Sequence, residues 1–334
     1  MEQRSLEDDG WGSLELAPAK IHTTLTRHKA RRVISRNASP DVPFSQSINP
    51  YQGCEHGCIY CFARPTHAFL GLSPGLDFET KLFFKPDAAS ILEQELAHPH
   101  YCASTIALGA NTDPYQPAER RARITRQLLE VLSQCHHPVA IVTKSALVER
   151  DVDLLAPMAE RGLASVCLSV TTLDTDLARR MEPRANSPER RLRAIETLSA
   201  HGIPTSALAA PVIPALNDEE LERILAAVHT AGALDAHYVT LRLPLELNSL
   251  FQQWLEEHYP NRAKHVMARV HDLHHGRAYR ADFGTRMTGT GIFASLIARR
   301  FHVAKKKLGF AGVASLDCSL FQPPRRQRPQ LELF

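Results

Sequence analysis

The sequence predicts an α/β protein built on a parallel sheet, and three observations support that fold class. Between residues 44 and 244, short apolar runs recur without polar alternation, the pattern of strands buried on both faces. Amphipathic stretches with helix start and stop signals separate those runs, so strand and helix alternate. Alternation of this kind implies right-handed crossovers between neighbouring parallel strands. A chain of 334 residues is also long enough for one large domain with ample core, or for two small ones.

Residues 1–43 precede the pattern. They lack periodicity and contain Asn37, Ser39, Pro40 and Pro43, so an irregular basic extension is expected there. The first strand leads into Cys54. Further runs at residues 104–108, 138–143, 164–170, 205–210 and 237–243 bring the count to six βα units. Asp87, after Pro86, stands at an N-cap position before Ile91 and Leu92. Ser187 and Pro188 read as N-cap and first helical residue, Leu192, Ile195 and Leu198 recur at helical spacing, and Gly202 closes the segment. Asn217 with Glu220 resembles a capping box ahead of Leu221, Ile224 and Leu225. From residue 245 to 322 the pattern is mostly helical, with helices expected over residues 250–257 and 262–274. A Gly- and Thr-rich passage follows at residues 284–291, and the region beyond residue 244 is expected to pack on the α/β core and close its mouth. Residues 323–334 read as a flexible tail.

Apolar content of 44% and charged content of 22% are those of a globular protein. No apolar stretch approaches the roughly 18 residues of a membrane helix, and the first residues do not read as a signal peptide, so no membrane partner is expected. Seven cysteines, three of them at ligand spacing, suit a reducing compartment, and the cytoplasm is the expected location. The net charge of +3 is uneven. Arg27, Lys29, Arg31, Arg32 and Arg36 form one basic stretch, Arg299, Arg300 and Lys305 to Lys307 a second, and Arg325, Arg326 and Arg328 a third. Such runs are commonly solvated faces, but three around a neutral core also suit a polyanion such as nucleic acid.

The residues that point to chemistry are Cys54, Cys58 and Cys61, spaced C-x3-C-x2-C. Three thiolates around one centre leave it without a fourth protein ligand. A four-iron, four-sulfur cluster so held keeps one iron open to a small molecule, whereas structural zinc closes its tetrahedron. Zinc would need His56 or His67 as fourth ligand, and the short loop leaves His56 little room to turn inward. In parallel α/β barrels the reacting groups sit at the carboxyl ends of the strands. That rule selects Asn111, Thr112, Asp113, Thr143, Lys144, Ser169 and Thr171.

The cysteine run and the βα order after it resemble the radical S-adenosylmethionine (SAM) superfamily. Residues 109–117, Thr143-Lys-Ser145, Met181-Glu-Pro183 and residues 211–217 narrow the resemblance to its spore photoproduct lyase-like (DNA repair photolyase-like) branch, over roughly residues 45–245. What it implies is a partial (β/α)6 barrel over residues 44–244, a 4Fe-4S cluster on Cys54, Cys58 and Cys61, and SAM on the open iron. An external one-electron reductant would then drive cleavage of SAM to a 5′-deoxyadenosyl radical. It further implies Thr112 and Asp113 at the methionyl group, Lys144 near its carboxylate, Ser169 at the ribose hydroxyls and the Tyr60 backbone at the adenine edge. Arg179, Arg180 and Arg184 could touch SAM or phosphate but read first as helix-surface arginines.

The implied function is radical chemistry on nucleic acid, in DNA repair or modification. A protein side chain or small metabolite as substrate, and a zinc-binding nucleic-acid module without catalysis, are the alternatives. One departure limits the resemblance: photoproduct lyases carry a hydrogen-donating cysteine where this chain has Ala110 and Asn111. Cys135 and Cys167 read as buried apolar cysteines, and Tyr51, Tyr60, Tyr115 and Tyr238 remain as other hydrogen donors. Gln330, Leu331, Leu333 and Phe334 resemble the pentapeptide with which bacterial repair proteins dock on the sliding clamp, a possible partner.

Overall fold

The computed structural model describes residues 22–324, which form two sheets. The chain begins with β1 (Thr24–Arg27) and β2 (Ile34–Arg36), then β3 (Gln46–Ile48) and β4 (Tyr51–Gln52). After the cysteine loop come α1 (Asp77–Thr80), β5 (Lys81–Phe84) and α2 (Ala88–Leu96). The repeating part continues as β6 (Ile106–Leu108), α3 (Glu119–Ala122), α4 (Ile124–Gln134), β7 (Val139–Thr143), α5 (Val152–Glu160) and β8 (Ala164–Ser169). It finishes with α6 (Thr175–Met181), α7 (Pro188–Ala200), β9 (Thr205–Val212), α8 (Leu221–Thr230) and β10 (Asp235–Thr240). Three longer helices follow, α9 (Leu247–His258), α10 (Pro260–Leu273) and α11 (Gly291–Leu308).

Strands β3, β6, β7, β8, β9 and β10 lie side by side in chain order, all parallel, as the six expected βα units. Each crossover therefore steps to the neighbouring strand, which curves the sheet into an open (β/α)6 barrel. The buried positions of these strands, among them Ile48, Ile106, Leu108, Ile141, Val166 and Leu168, form one core with the inner faces of the helices. On α4, Leu128, Leu129 and Leu132 supply that face, and the repeat of three to four residues is what seats a helix on a sheet.

Several elements differ from the sequence reading. Residues 24–27 and 34–36 are strands rather than irregular chain: β2 adds antiparallel to β3 at the barrel edge, and β1 pairs with β5. Both are short and mostly exposed, so they leave no periodic trace and exist through their partners. The strand leading to Cys54 is split. Its first half, β3, belongs to the barrel, whereas β4 crosses to the small sheet ordered β1-β5-β4.

Capping differs too. Ser187 accepts from the Arg190 amide, as expected of an N-cap. Asp87 makes no side-chain cap. Asn217 and Glu220 form no capping box: Asn217 accepts from the Ile213 amide and donates to the carbonyls of Thr171 and Pro211, while Glu220 accepts from Thr172 and Leu173. Asn217 thus ties the ends of β8 and β9 together and Glu220 holds the segment after β8, tertiary uses that outweigh local capping. No helix among the described residues is long and apolar enough to cross a membrane.

Candidate active site

The cysteine loop runs from β4 into a 3-10 turn (Arg64–Leu70), and α1 anchors it through the Cys54 amide, which donates to the Phe78 carbonyl at 2.9 Å. Arg64 is almost wholly buried beneath the loop. Its guanidinium donates to the carbonyls of Cys58 (2.8 Å) and Gly57 (2.9 Å), to Pro74 and Gly75, and to Glu79. Gln116, also buried, receives the Glu55 amide and donates to the Gly53 carbonyl. Arg184 closes the other side against Glu79 and the Glu55 carbonyl, so it braces the loop and is not a helix-surface arginine. Gly57 has φ +68°, and a Cβ there would press on Glu79 and on the Arg184 guanidinium. Only glycine lets the loop pass between those two charges.

Cys54, Cys58 and Cys61 line one cavity with the strand-end residues Asn111, Thr112, Asp113, Thr143, Lys144 and Ser169. The barrel therefore brings together every residue singled out for cluster and SAM, including Tyr60. Thr112 donates to the Tyr51 carbonyl at 2.8 Å. Asp113 accepts from Thr143 Oγ1 (2.7 Å) and from the amides of Lys144 (2.8 Å) and Tyr115 (2.8 Å), and lies 3.4 Å from His56 Nδ1. Burial opposes the charge on Asp113, but His56 and these donors outweigh it and hold the carboxyl below its usual range. Lys144 Nζ donates to Ser169 Oγ at 2.9 Å, faces the Tyr60 ring at 5.7 Å, and is pushed below the usual lysine value by burial.

Two residues with large parts in the site had no part in cluster or SAM binding assigned from sequence. His56, expected to face outward, is buried, lines the cavity and pairs with Asp113. The carbonyls of its two chain neighbours, Glu55 and Gly57, are held by Arg184 and Arg64. Glu182 is fully buried and accepts from Tyr60, Thr171 (2.7 Å) and Arg191. Burial raises its carboxyl and Arg191 partly counters that. Its only sequence trace is the Met181-Glu-Pro183 string. His67, the other histidine weighed as a zinc ligand, does not line the cavity and bonds through Nε2 to the Lys81 carbonyl at 3.0 Å.

The hydrogen-donor candidates separate clearly. Tyr51 bonds to Glu119, Tyr115 to Asp151, and Tyr238 packs on Phe301, so among these four only Tyr60 reaches the cavity. Among the described residues no cysteine beyond the three of the loop lines it.

The three thiols fit an iron-sulfur cluster. Burial pushes all of them above the usual thiol value, with mutual repulsion adding to it at Cys54 and Cys58. Bound cationic iron reverses that balance, because a coordinated thiol is deprotonated outright.

Comparison with known proteins agrees with the geometry. The model of the radical SAM superfamily matches residues 48–228, more than half of the chain. The chain belongs to the radical SAM superfamily. It is accordingly a radical SAM enzyme, whose cofactors are a 4Fe-4S cluster and SAM. The uncharacterized protein Rv2578c of Mycobacterium tuberculosis is 36% identical over 261 residues, covering 78% of this chain and 75% of that protein. The uncharacterized protein MJ0683 of Methanocaldococcus jannaschii is 27% identical over 232 residues, covering 70% and 82%. In fold, this radical SAM chain is similar to spore photoproduct lyase complexed with dinucleoside spore photoproduct, with a TM-score of 0.58 at 13% identity, covering 90% of this chain and 86% of that one. A lyase variant with bound AdoMet and dinucleoside spore photoproduct gives 0.58 at 13% identity, covering 86% and 79%.

Proposed function

We propose that this radical SAM enzyme cleaves SAM reductively and acts on nucleic acid, in the repair or modification of DNA. The observation that carries the nucleic-acid reading is the shared architecture with spore photoproduct lyase across 90% of the chain. Exposed cations at Arg27, Lys29, Arg31, Arg32 and Arg36, none with an ion pair among the described residues, support it. With an external one-electron donor, the bound cluster and SAM supply a carbon radical able to abstract hydrogen.

This chain's own residues do the holding and orienting. Cys54, Cys58 and Cys61 would bind the cluster. Lys144, tethered to Ser169, would meet the SAM carboxylate. Ser169 would reach the ribose, and the Tyr60 backbone the adenine. Thr112 and Asp113 would border the methionyl group while Asp113 fixes His56 and the Lys144 amide in place. Because no cysteine stands at Ala110 or Asn111, the proposal is nucleic-acid chemistry without the cysteine-dependent hydrogen return of photoproduct repair.

Anaerobically reconstituted wild type should bind about four irons per chain beyond any zinc and form 5′-deoxyadenosine from SAM with a strong reductant. Cys58→Ala should abolish that product. Undiminished product from the variant would refute the assignment of the cluster ligands. The sliding-clamp residues Gln330, Leu331, Leu333 and Phe334 lie outside the described residues. Clamp binding, if these residues mediate it, should disappear when residues 330–334 are deleted, and unchanged affinity would exclude the role.

A further inference from the structure

Beside the cysteine cavity lies a second cleft, bounded by Phe62, Ala110, Arg242, Tyr279, Arg286 and Met287. Phe62 and Arg242 line both, so the two spaces share a wall immediately after Cys61 and just past the end of β10. The two arginines there differ. Arg286 Nε pairs with Asp41 at 2.5 Å, its Nη2 donates to Ser39 at 2.6 Å, and it lies over the exposed Phe283 ring at 4.9 Å. Arg242 pairs with no carboxylate among the described residues; its guanidinium rests 4.5 Å from the centre of the Phe62 ring. Burial works against its charge; Tyr279, Cys61 and Asp41 partly counter that, and Arg286 adds to it. A half-buried cation with no carboxylate in contact carries a desolvation cost that an anionic ligand would reduce.

Phe62 is 42% exposed, a large aromatic at a cavity mouth beside an arginine. Guanidinium groups bind phosphate oxygens in a planar fork, and aromatic rings bind nucleobases by stacking. We propose that this cleft is a subsite for one nucleotide unit of the substrate, with Arg242 holding its phosphate and Phe62 stacking on its base. The inference rests on the nucleic-acid reading above and assigns a place to the unit next to the reacting one. The shared wall puts that neighbour within the same mouth as the cavity, so binding here orients the strand relative to SAM.

The test uses the reconstituted holoenzyme with SAM, held anaerobically, and a short fluorescein-labelled single-stranded oligonucleotide read by anisotropy across a salt series. Arg242→Gln should raise Kd about tenfold and make the log–log salt slope shallower by about 0.7, the loss of one phosphate contact on a single strand. Arg242→Lys should recover most of the affinity. Phe62→Ala should weaken binding about tenfold on a normal strand and have little effect on an abasic one. Iron content and thermal melting check that the variants are folded, and equilibrium dialysis with labelled SAM should give the wild-type affinity for Arg242→Gln.

Wild-type oligonucleotide binding with the same Kd and slope in Arg242→Gln would overturn the subsite and leave the nucleic-acid reading standing. Loss of SAM affinity with unchanged oligonucleotide binding would assign Arg242 to the cofactor and overturn it as well. If wild type binds no oligonucleotide even at low salt, the nucleic-acid reading fails and the subsite with it.

Discussion

Arg191 and Glu182 face each other where neither side chain meets solvent, and their pairing organises one wall of the cavity. Arg191 also donates to the carbonyls of Asn186 (2.8 Å) and Ser169 (3.1 Å), while Glu182 receives Tyr60 and Thr171. Removing one partner leaves the other charge buried and uncompensated. Arg191→Met should therefore destabilise the fold by about 3–5 kcal/mol. Glu182→Gln leaves the Arg191 guanidinium, which cannot shed its proton, buried without a counter-charge, and should destabilise the fold by a comparable amount. Urea denaturation of the two variants measures both losses, and a loss below about 1 kcal/mol in either would contradict the charge pair. The strand-end polar residues, by contrast, were legible one by one, because barrel geometry allows few places for them.

At the scale of elements, the amino ends of the barrel strands are closed by a small cluster. Tyr101, in the segment before β6, donates to Gln46 of β3 at 2.7 Å and lies 2.7 Å from His137 Nε2, just before β7; Phe321 covers both rings. Burial lowers the His137 pKa to about 4, against about 6.5 in the unfolded chain. The unfolded state thus takes up a proton between pH 6.5 and about 4 that the folded state refuses, and stability falls as pH drops through that window. The full shift corresponds to a loss on the order of 3 kcal/mol. Replacing His137 with Gln should remove that part of the acid sensitivity. Denaturation at pH 7 and pH 4.5 decides it, and an identical drop in wild type and variant would contradict the assignment. None of this could be read from the sequence, where His137 stands in an unremarkable His-His-Pro turn. Phe321, 184 residues further along the chain, packs edge-on against the His137 ring.

For the whole molecule, the distribution of charge changes which surface would meet a polyanion. Of the second basic run, on α11, Arg300 is taken up by Glu222 and Asp218, and Lys305 by Asp235 and the Ala236 carbonyl. These contacts fasten α11 to α8 and β10. Among the described residues, the cations before and along β2 make no such ion pairs. Changing Arg27, Lys29, Arg31, Arg32 and Arg36 to Gln should weaken duplex DNA binding and make its salt dependence shallower by up to about 0.9 per lost contact. Arg300→Gln should lower the melting temperature and leave that slope unchanged. The reverse pattern would place the binding surface on α11 instead.

The sequence by itself determined the fold class, the six parallel strands, the cluster cysteines as candidates and the rim residues around them. Each follows from local spacing, from apolar periodicity, or from the rule that strand ends carry the chemistry. Only the tertiary structure decided that β1, β4 and β5 form a second sheet under the cysteine loop, that His56 turns inward to Asp113, and that Glu182 anchors Tyr60. Those outcomes depend on partners far apart in the chain. Arg64 beneath the loop, Arg184 beside it and Arg191 behind Glu182 offset charges and carbonyls that no local pattern announces.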